Sequence, residues 1–249
     1  MVDAIPVQTF GGPTALFEYG GLRVLTDPTF DQPRTYPSPS GVTLTKLTPP
    51  AAAPDTIGRI DVVLLSHDQH PDNLDDSGRA LLADVPLTVT TPGGADRLGG
   101  TARGLAPWES LQVGAVTITA VPARHGPEGC EPITGEVTGF VLTGDGLPSV
   151  YVSGDNAALE LVEQIAARFG PIDTAVLFAG AVRTGLFDGA LLTLDSAQAA
   201  DAARILGASR VVMVHFDSWA HFTEGRDALA KAFTAAGLAD RVQLGHQPG

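Results

Sequence analysis

The chain has six histidines, at positions 67, 70, 125, 215, 221 and 246. Several of them, and one aspartate, fall just past short apolar runs. His67 follows Asp61-Val62-Val63-Leu64-Leu65-Ser66, and His215 follows Val211–Val214. Asp155 stands in Ser153-Gly154-Asp155-Asn156 after Val150–Val152, and His125 comes four residues after Val121. His70 and Asp72 add a second imidazole and a carboxylate close behind His67. Imidazole and carboxylate together suit a divalent metal, and shared carboxylates suit a pair of ions roughly 3.5–4 Å apart. Each residue also has a plainer use. A histidine at a strand end can simply close the rim of a core, and Asp155, ahead of a helix, can serve as its cap. Open α/β sheets place ligand sites beyond the carboxyl ends of their strands, so four such ends each bringing a donor match a metal site assembled from distant segments.

The elements that must position these residues follow from the apolar pattern. Ala15–Tyr19 and Leu22–Thr26 flank Gly20-Gly21 and read as a hairpin. Further strands are expected at Leu87–Thr90, Val116–Val121, Val137–Thr143, Val150–Ser153, Ala175–Phe178 and Val211–Val214. Leu159, Val162, Ile165, Ala166 and Phe169 share one helical face, and Gly170-Pro171 stops that helix. Asp195 with Gln198 resembles a capping box, opening a helix that ends at Gly207. Leu229, Ala232, Phe233 and Ala236 form a stripe ended by Gly237, and Asp75 or Asp76 can cap a short helix through Ala83. Between Pro28 and Asp55, prolines at 28, 33, 37, 39, 49, 50 and 54 leave little room for a regular element. Such a loop is either a lid over a site or a meander. Strand-rich sequence followed by alternating strands and helices makes a layered α/β protein, read as one domain over residues 1–249.

Composition narrows the partners. With 44% hydrophobic and 17% charged residues the chain can build a substantial core. Fifteen lysines and arginines against 28 acidic residues give a net charge of −13. That charge repels phosphate backbones and anionic lipid, so nucleic acid and membrane surfaces are not expected partners and a small-molecule substrate is. Cys130 is the only cysteine, which leaves no internal disulfide. Met1 to Phe10 lack a secretory pattern, and no apolar run approaches the ~20 residues of a spanning helix, so a cytoplasmic protein is expected.

The segment Leu64-Leu65-Ser66-His67-Asp68-Gln69-His70-Pro71-Asp72-Asn73-Leu74-Asp75 resembles the His-x-His-x-Asp-His signature of the metallo-β-lactamase superfamily. Thr26-Asp27-Pro28 is similar to that family's early aspartate, and Ala123-Arg124-His125-Gly126 to its third histidine. Ser153-Gly154-Asp155 is similar to its bridging aspartate, and Val214-His215-Phe216 to its last histidine. Thr9-Phe10-Gly11-Gly12 with Leu25-Thr26-Asp27-Pro28 resembles the branch that includes ascorbate-phosphate lactonases and phospholipase-D-like enzymes. The resemblance implies a four-layer αββα sandwich with a site at one edge between two sheets. It implies one or two zinc ions, with manganese or iron as alternatives, and a hydrolase that turns metal-bound hydroxide on a carbonyl or phosphoryl group. His67, His70 and His125 would hold one ion, and Asp72 and His215 the other, with Asp155 between them. Asp72 and Asp155 would take part in catalysis, and Asp27 would support the ligands from behind.

The signature is altered. Read forward from His67, positions 69, 71 and 72 should hold histidine, aspartate and histidine, but they hold Gln69, Pro71 and Asp72. One inserted residue restores His70 and Asp72 and puts Asn73 in the last histidine's place. Read backward from Asp72, Asp68 takes the first slot instead. Either way one imidazole is replaced by an amide, a poorer ligand for zinc. Gln69 and Asn73 therefore favour one alternative, a metal-depleted, non-catalytic binding module of the same fold. An iron-dependent oxidoreductase is the other, because the fold can hold iron. His221, in Trp219-Ala220-His221-Phe222, reads first as a packing residue and second as one facing substrate. Arg124 and Arg183 are candidates for binding an anionic group, Cys130 reads as incidental and His246 as structural.

Overall fold

The computed structural model describes residues 5–37 and 43–245. The chain opens with an antiparallel meander of β1 (Val7–Gly11), β2 (Thr14–Tyr19) and β3 (Leu22–Thr26), followed by a small hairpin of β4 (Arg34–Tyr36) and β5 (Leu44–Lys46). β6 (Val62–Leu64), β7 (Thr88–Thr90) and β8 (Ala102–Gly104) then add in parallel beyond β3, with α1 (Asp76–Leu81) and α2 (Pro92–Leu98) in the crossovers. The second half repeats the plan. β9 (Ser110–Val113), β10 (Val116–Pro122), β11 (Thr138–Thr143) and β12 (Val150–Val152) form an antiparallel meander, with the short α3 (Glu131–Thr134) before β11. β13 (Thr174–Phe178), β14 (Arg210–Val214) and β15 (Val242–Leu244) follow in parallel, alternating with α4 (Leu159–Phe169), α5 (Ser196–Ile205) and α6 (Arg226–Ala235). The strand orders are β1-β2-β3-β6-β7-β8 and β15-β14-β13-β12-β11-β10-β9.

The two-residue period of the strands sorts side chains into layers. Val62 and Leu64 of β6 enter a core shared by the two sheets, where Phe17 and Val24 meet Ile118, Phe140, Phe178 and Val212. Val63 and Leu65 turn outward, with Leu25, beneath Ile57, Ile60 and Leu74. On the far side, Tyr151, Val211 and Met213 pack on Val162, Ile165, Leu229 and Phe233 of α4 and α6. Helices therefore cover both outer faces of two stacked sheets, the αββα layering that the resemblance implied. No helix among the described residues is long and apolar enough to cross a membrane.

The proline-rich segment departs from expectation by carrying β4 and β5. Pro33 and Pro37 flank β4 without interrupting it, so its hydrogen-bonding groups stay available. Polar anchors fix the hairpin. Asp31 accepts from the Tyr36 hydroxyl at 2.7 Å and from the Ser77 amide at 2.9 Å. Lys46 makes a fully enclosed ion pair of 3.0 Å with Asp75, the residue that caps α1 by accepting from the Gly78 amide. The prolines at 28, 33, 37, 49, 50 and 54 belong to described residues; Pro39 lies outside them. The edge strands β8 and β9 leave most of their side chains exposed or half-buried and carry weak apolar patterns.

Candidate metal centre

Five strand ends converge at one edge of the two sheets. β3 delivers Asp27, β6 delivers His67, β10 delivers His125, β12 delivers Asp155 and β14 delivers His215. Two of these residues have left-handed backbone, Asp27 at φ +29° and His215 at φ +58°. Such conformations are costly for residues with a side chain and gather at functional sites. Gly154 has φ +57°, and a Cβ there would lie 2.6 Å from the Thr138 carbonyl and 2.7 Å from Ser66 Cβ. Only glycine lets the end of β12 pass this close to the segment that carries His67.

The side chains form two groups, and within each group the donor atoms lie within 4.8 Å of one another. The first is His67, His70 and His125; the second is Asp72, Asp155 and His215. Hydrogen bonds behind the rings set which nitrogen faces inward. The Ser66 hydroxyl donates to Asp27 Oδ1 at 2.7 Å, so it accepts from His67 Nδ1 at 2.9 Å. That leaves the His67 Nε2 lone pair toward His70 Nδ1, 2.9 Å away. His125 Nδ1 donates to the Leu192 carbonyl at 2.7 Å, turning its Nε2 into the site. Asp155 lies between the groups: its Oδ2 is 3.7 Å from His125 Nε2, and its Oδ1 is 3.6 Å from His215 Nε2.

Polar atoms without partners collect here. Asp72 Oδ1, Asp155 Oδ2, Asn73 Oδ1 and His215 Nε2 are all buried and make no hydrogen bond. Leaving one such group unsatisfied costs ~1–3 kcal/mol, so several in one place call for an occupant. A donor set of four imidazoles and two carboxylates around these orphaned atoms fits divalent cations. Electrostatics differ between the groups. Burial pushes the His67 imidazole well below its usual range, helped by His70 and His125, and burial lowers His125 too. Burial also opposes charge on His215, but Asp155 and Asp72 outweigh it and raise that imidazole to about 9. Burial acts to raise Asp72, yet the imidazoles of His215 and His221 beside it hold it well below the usual carboxylate range. Asp27 is pushed up to about 8, chiefly by burial and also by the charge of Asp155, against the opposing Ser66 bonds.

Several expectations need correction. Asp155 is not a helix cap: α4 starts after Ala158 and has no side-chain cap. Asp68 does not belong to the site, because Arg97 clamps its carboxylate, with Nε 2.9 Å from Oδ2. Gln69 is exposed, so of the two readings of the signature the structure brings together His67, His70 and Asp72. Asn73 is buried and donates its amide to Asp155 Oδ1 at 3.3 Å and to Ser66 Oγ at 3.4 Å. His221 does more than pack. Its ring lies 4.5 Å from that of Phe222, but its Nε2 is 2.9 Å from Asp72 Oδ2. The β4–β5 hairpin holds this loop through the Lys46–Trp219 bridge and the Ala220 amide on the Thr45 carbonyl. Arg124 is engaged by Glu160 and the Gly126 carbonyl, and Arg183 donates to the Gly189 carbonyl, so neither lines the cleft. Cys130 is buried at the start of α3, and His246 lies outside the described residues. Ser66, which links Asp27 to His67, stands directly before the first signature histidine, and only the fold reveals its role.

Comparison with known proteins places the chain in a family. A family model described as Beta-lactamase superfamily domain matches residues 22–216. A metal-dependent hydrolase of Methanosphaerula palustris is 31% identical over 179 residues, covering 69% of this chain and 75% of that protein. One from Pyrococcus furiosus is 27% identical over 215 residues, covering 85% of this chain and 84% of that protein. The crystal structure of a possible metal-dependent hydrolase from Veillonella parvula shares the fold, with a TM-score of 0.83 at 16% identity over 98% of this chain and 97% of that one.

Proposed function

The chain belongs to the beta-lactamase superfamily, and on that premise we propose that it is a metal-dependent hydrolase whose two side-chain groups each hold one divalent ion. His67, His70 and His125 hold the first ion, Asp72 and His215 hold the second, and Asp155 serves both. The observation that carries this reading is the placement of Asp155, with one oxygen 3.7 Å from His125 Nε2 and the other 3.6 Å from His215 Nε2. Ions bound there would polarise a carbonyl or phosphoryl oxygen and lower the pKa of water toward neutrality.

The chain's own residues prepare the site. Asp27 and Ser66 fix the tautomer of His67, and the Leu192 carbonyl fixes that of His125. His221 holds Asp72 Oδ2 and leaves Oδ1 without a protein partner. Asn73 steadies Asp155 from behind. Zinc is the ion first expected, with manganese and iron accommodated by the same donor types. The test is elemental analysis of the purified chain, with ester and phosphodiester hydrolysis assayed before and after chelation. Two divalent ions per fully loaded chain are expected, and activity should fall with a chelator and return with metal. Less than about a tenth of an equivalent of every metal contradicts the reading, because dinuclear sites of this kind hold their ions tightly. Colour and an absorption spectrum separate iron from zinc in the same sample.

A further inference from the structure

The cleft over the two groups has a polar floor and apolar walls. His70, Asp72, His125 and His221 form the floor. Leu44, Ile133, Val182, Leu186, Phe187 and Leu192 form most of the walls, with two uncharged threonines, Thr134 and Thr184, among them. No lysine or arginine lines it among the described residues. Ser38 to Val42, outside the described residues, contain no charged side chain in the sequence. Of the two arginines nearest in sequence to the walls, Arg124 pairs with Glu160, and Arg183 is exposed outside the cleft lining, donating to the Gly189 carbonyl.

The mouth of the cleft is apolar as well. Among the described residues, three large hydrophobic side chains are exposed, and two of them, Ile133 at 56% and Leu186 at 47%, stand on these walls. Exposed apolar side chains that gather around a polar floor mark a place where ligand completes the burial. A charged group seated against these walls, away from the floor, would lose water without gaining a protein cation, in a chain of net charge −13.

Resting on the hydrolase reading above, we infer that the substrate carries an uncharged, apolar group beside the bond that is cut, and that this group lies against Ile133, Leu186 and Phe187. The walls choose what is attached to the reacting group. Substrates bearing a second anionic group next to the scissile bond are discriminated against.

The experiment is calorimetric titration of the metal-loaded full chain with three hydroxamates that share one chelating head. Acetohydroxamate has no tail, hexanohydroxamate has an apolar tail, and adipic monohydroxamate has a tail of similar length ending in a carboxylate. Hexanohydroxamate should bind at least about tenfold tighter than acetohydroxamate, a gain available from burying a few methylenes. Adipic monohydroxamate should bind no tighter than acetohydroxamate. Ile133→Ser combined with Leu186→Ser alters two exposed side chains outside both ligand groups. It should shrink the hexanohydroxamate advantage to about threefold or less and leave acetohydroxamate binding and metal content unchanged. Equal or tighter binding of the carboxylate-ended probe, or an advantage untouched by the double substitution, overturns the inference. A metal-loaded chain that binds none of the three also overturns it. A chain that takes up no metal fails earlier, in elemental analysis, and the hydrolase reading falls with it.

Discussion

The two candidate metal-holding groups meet at Asp155 but are made of opposite materials. His67, His70 and His125 are three imidazoles, and burial holds two of them neutral. Asp72, Asp155 and His215 are two carboxylates and one imidazole, and the carboxylates keep that imidazole protonated to about pH 9. Without metal, the second group thus carries a proton where the proposed second ion would sit, whereas His67 and His125 of the first group are held neutral. One cleft holds a set of lone pairs ready for an ion beside a set that must give up a proton to receive one.

Removing Asp155 tests the link between the groups and should have the largest effect. Asp155→Ala is expected to strip both ions and abolish hydrolysis, measured by elemental analysis and activity on the same sample. A residue acting only as a helix cap would cost ~0.5–2 kcal/mol of stability and leave the metal in place. Full metal content in Asp155→Ala would mean that the groups are independent.

His221 sharpens the contrast, because it touches only the second group. Its bond to Asp72 orients that carboxylate, and losing such a support typically costs 10–100-fold in metal affinity. His221→Ala should therefore weaken the second ion by about that factor and leave the first unchanged, read by calorimetric titration of the metal-free chain. Equal weakening of both ions, or of neither, would return His221 to a packing role.

The subtlest expected difference is in protons. His215 must lose its proton to act as a ligand, so affinity for the second ion should rise with pH until about 9. His67 and His125 are already deprotonated at neutral pH, so the first ion should show little such dependence there. Titration at pH 7 in buffers of different ionisation enthalpy should count about one proton released with the second ion and close to none with the first. Equal proton release from both would erase the distinction between the groups.

Much of this arrangement was legible because strands with strong apolar runs end directly at the proposed ligands. β6 and β14 point to His67 and His215 by that rule, and the caps of α1 and α5 can be read from Asp75 and from Asp195 with Gln198. What escaped depended on partners far apart in the chain. The β4–β5 hairpin rests on Lys46 meeting Asp75 and on Asp31 meeting Ser77, and neither pairing leaves a local pattern. Spacing alone left Asp68 and His67 as rivals; Arg97, 29 residues from Asp68, decides between them. His221 lies 149 residues from Asp72, and its aromatic neighbours, which do pack on it, gave the plainer reading. The arginines looked available for anions because nothing in the sequence pairs Arg124 with Glu160.

The most direct test of the central claim is anomalous diffraction from crystals of the full chain grown with zinc or manganese. The account predicts two peaks in the cleft. One should lie about 2.0–2.2 Å from nitrogens of His67, His70 and His125, the other at similar distance from Asp72 and His215, with an Asp155 oxygen on each. A single peak, an empty cleft, or an ion bound through Asp68 or Gln69 would contradict it.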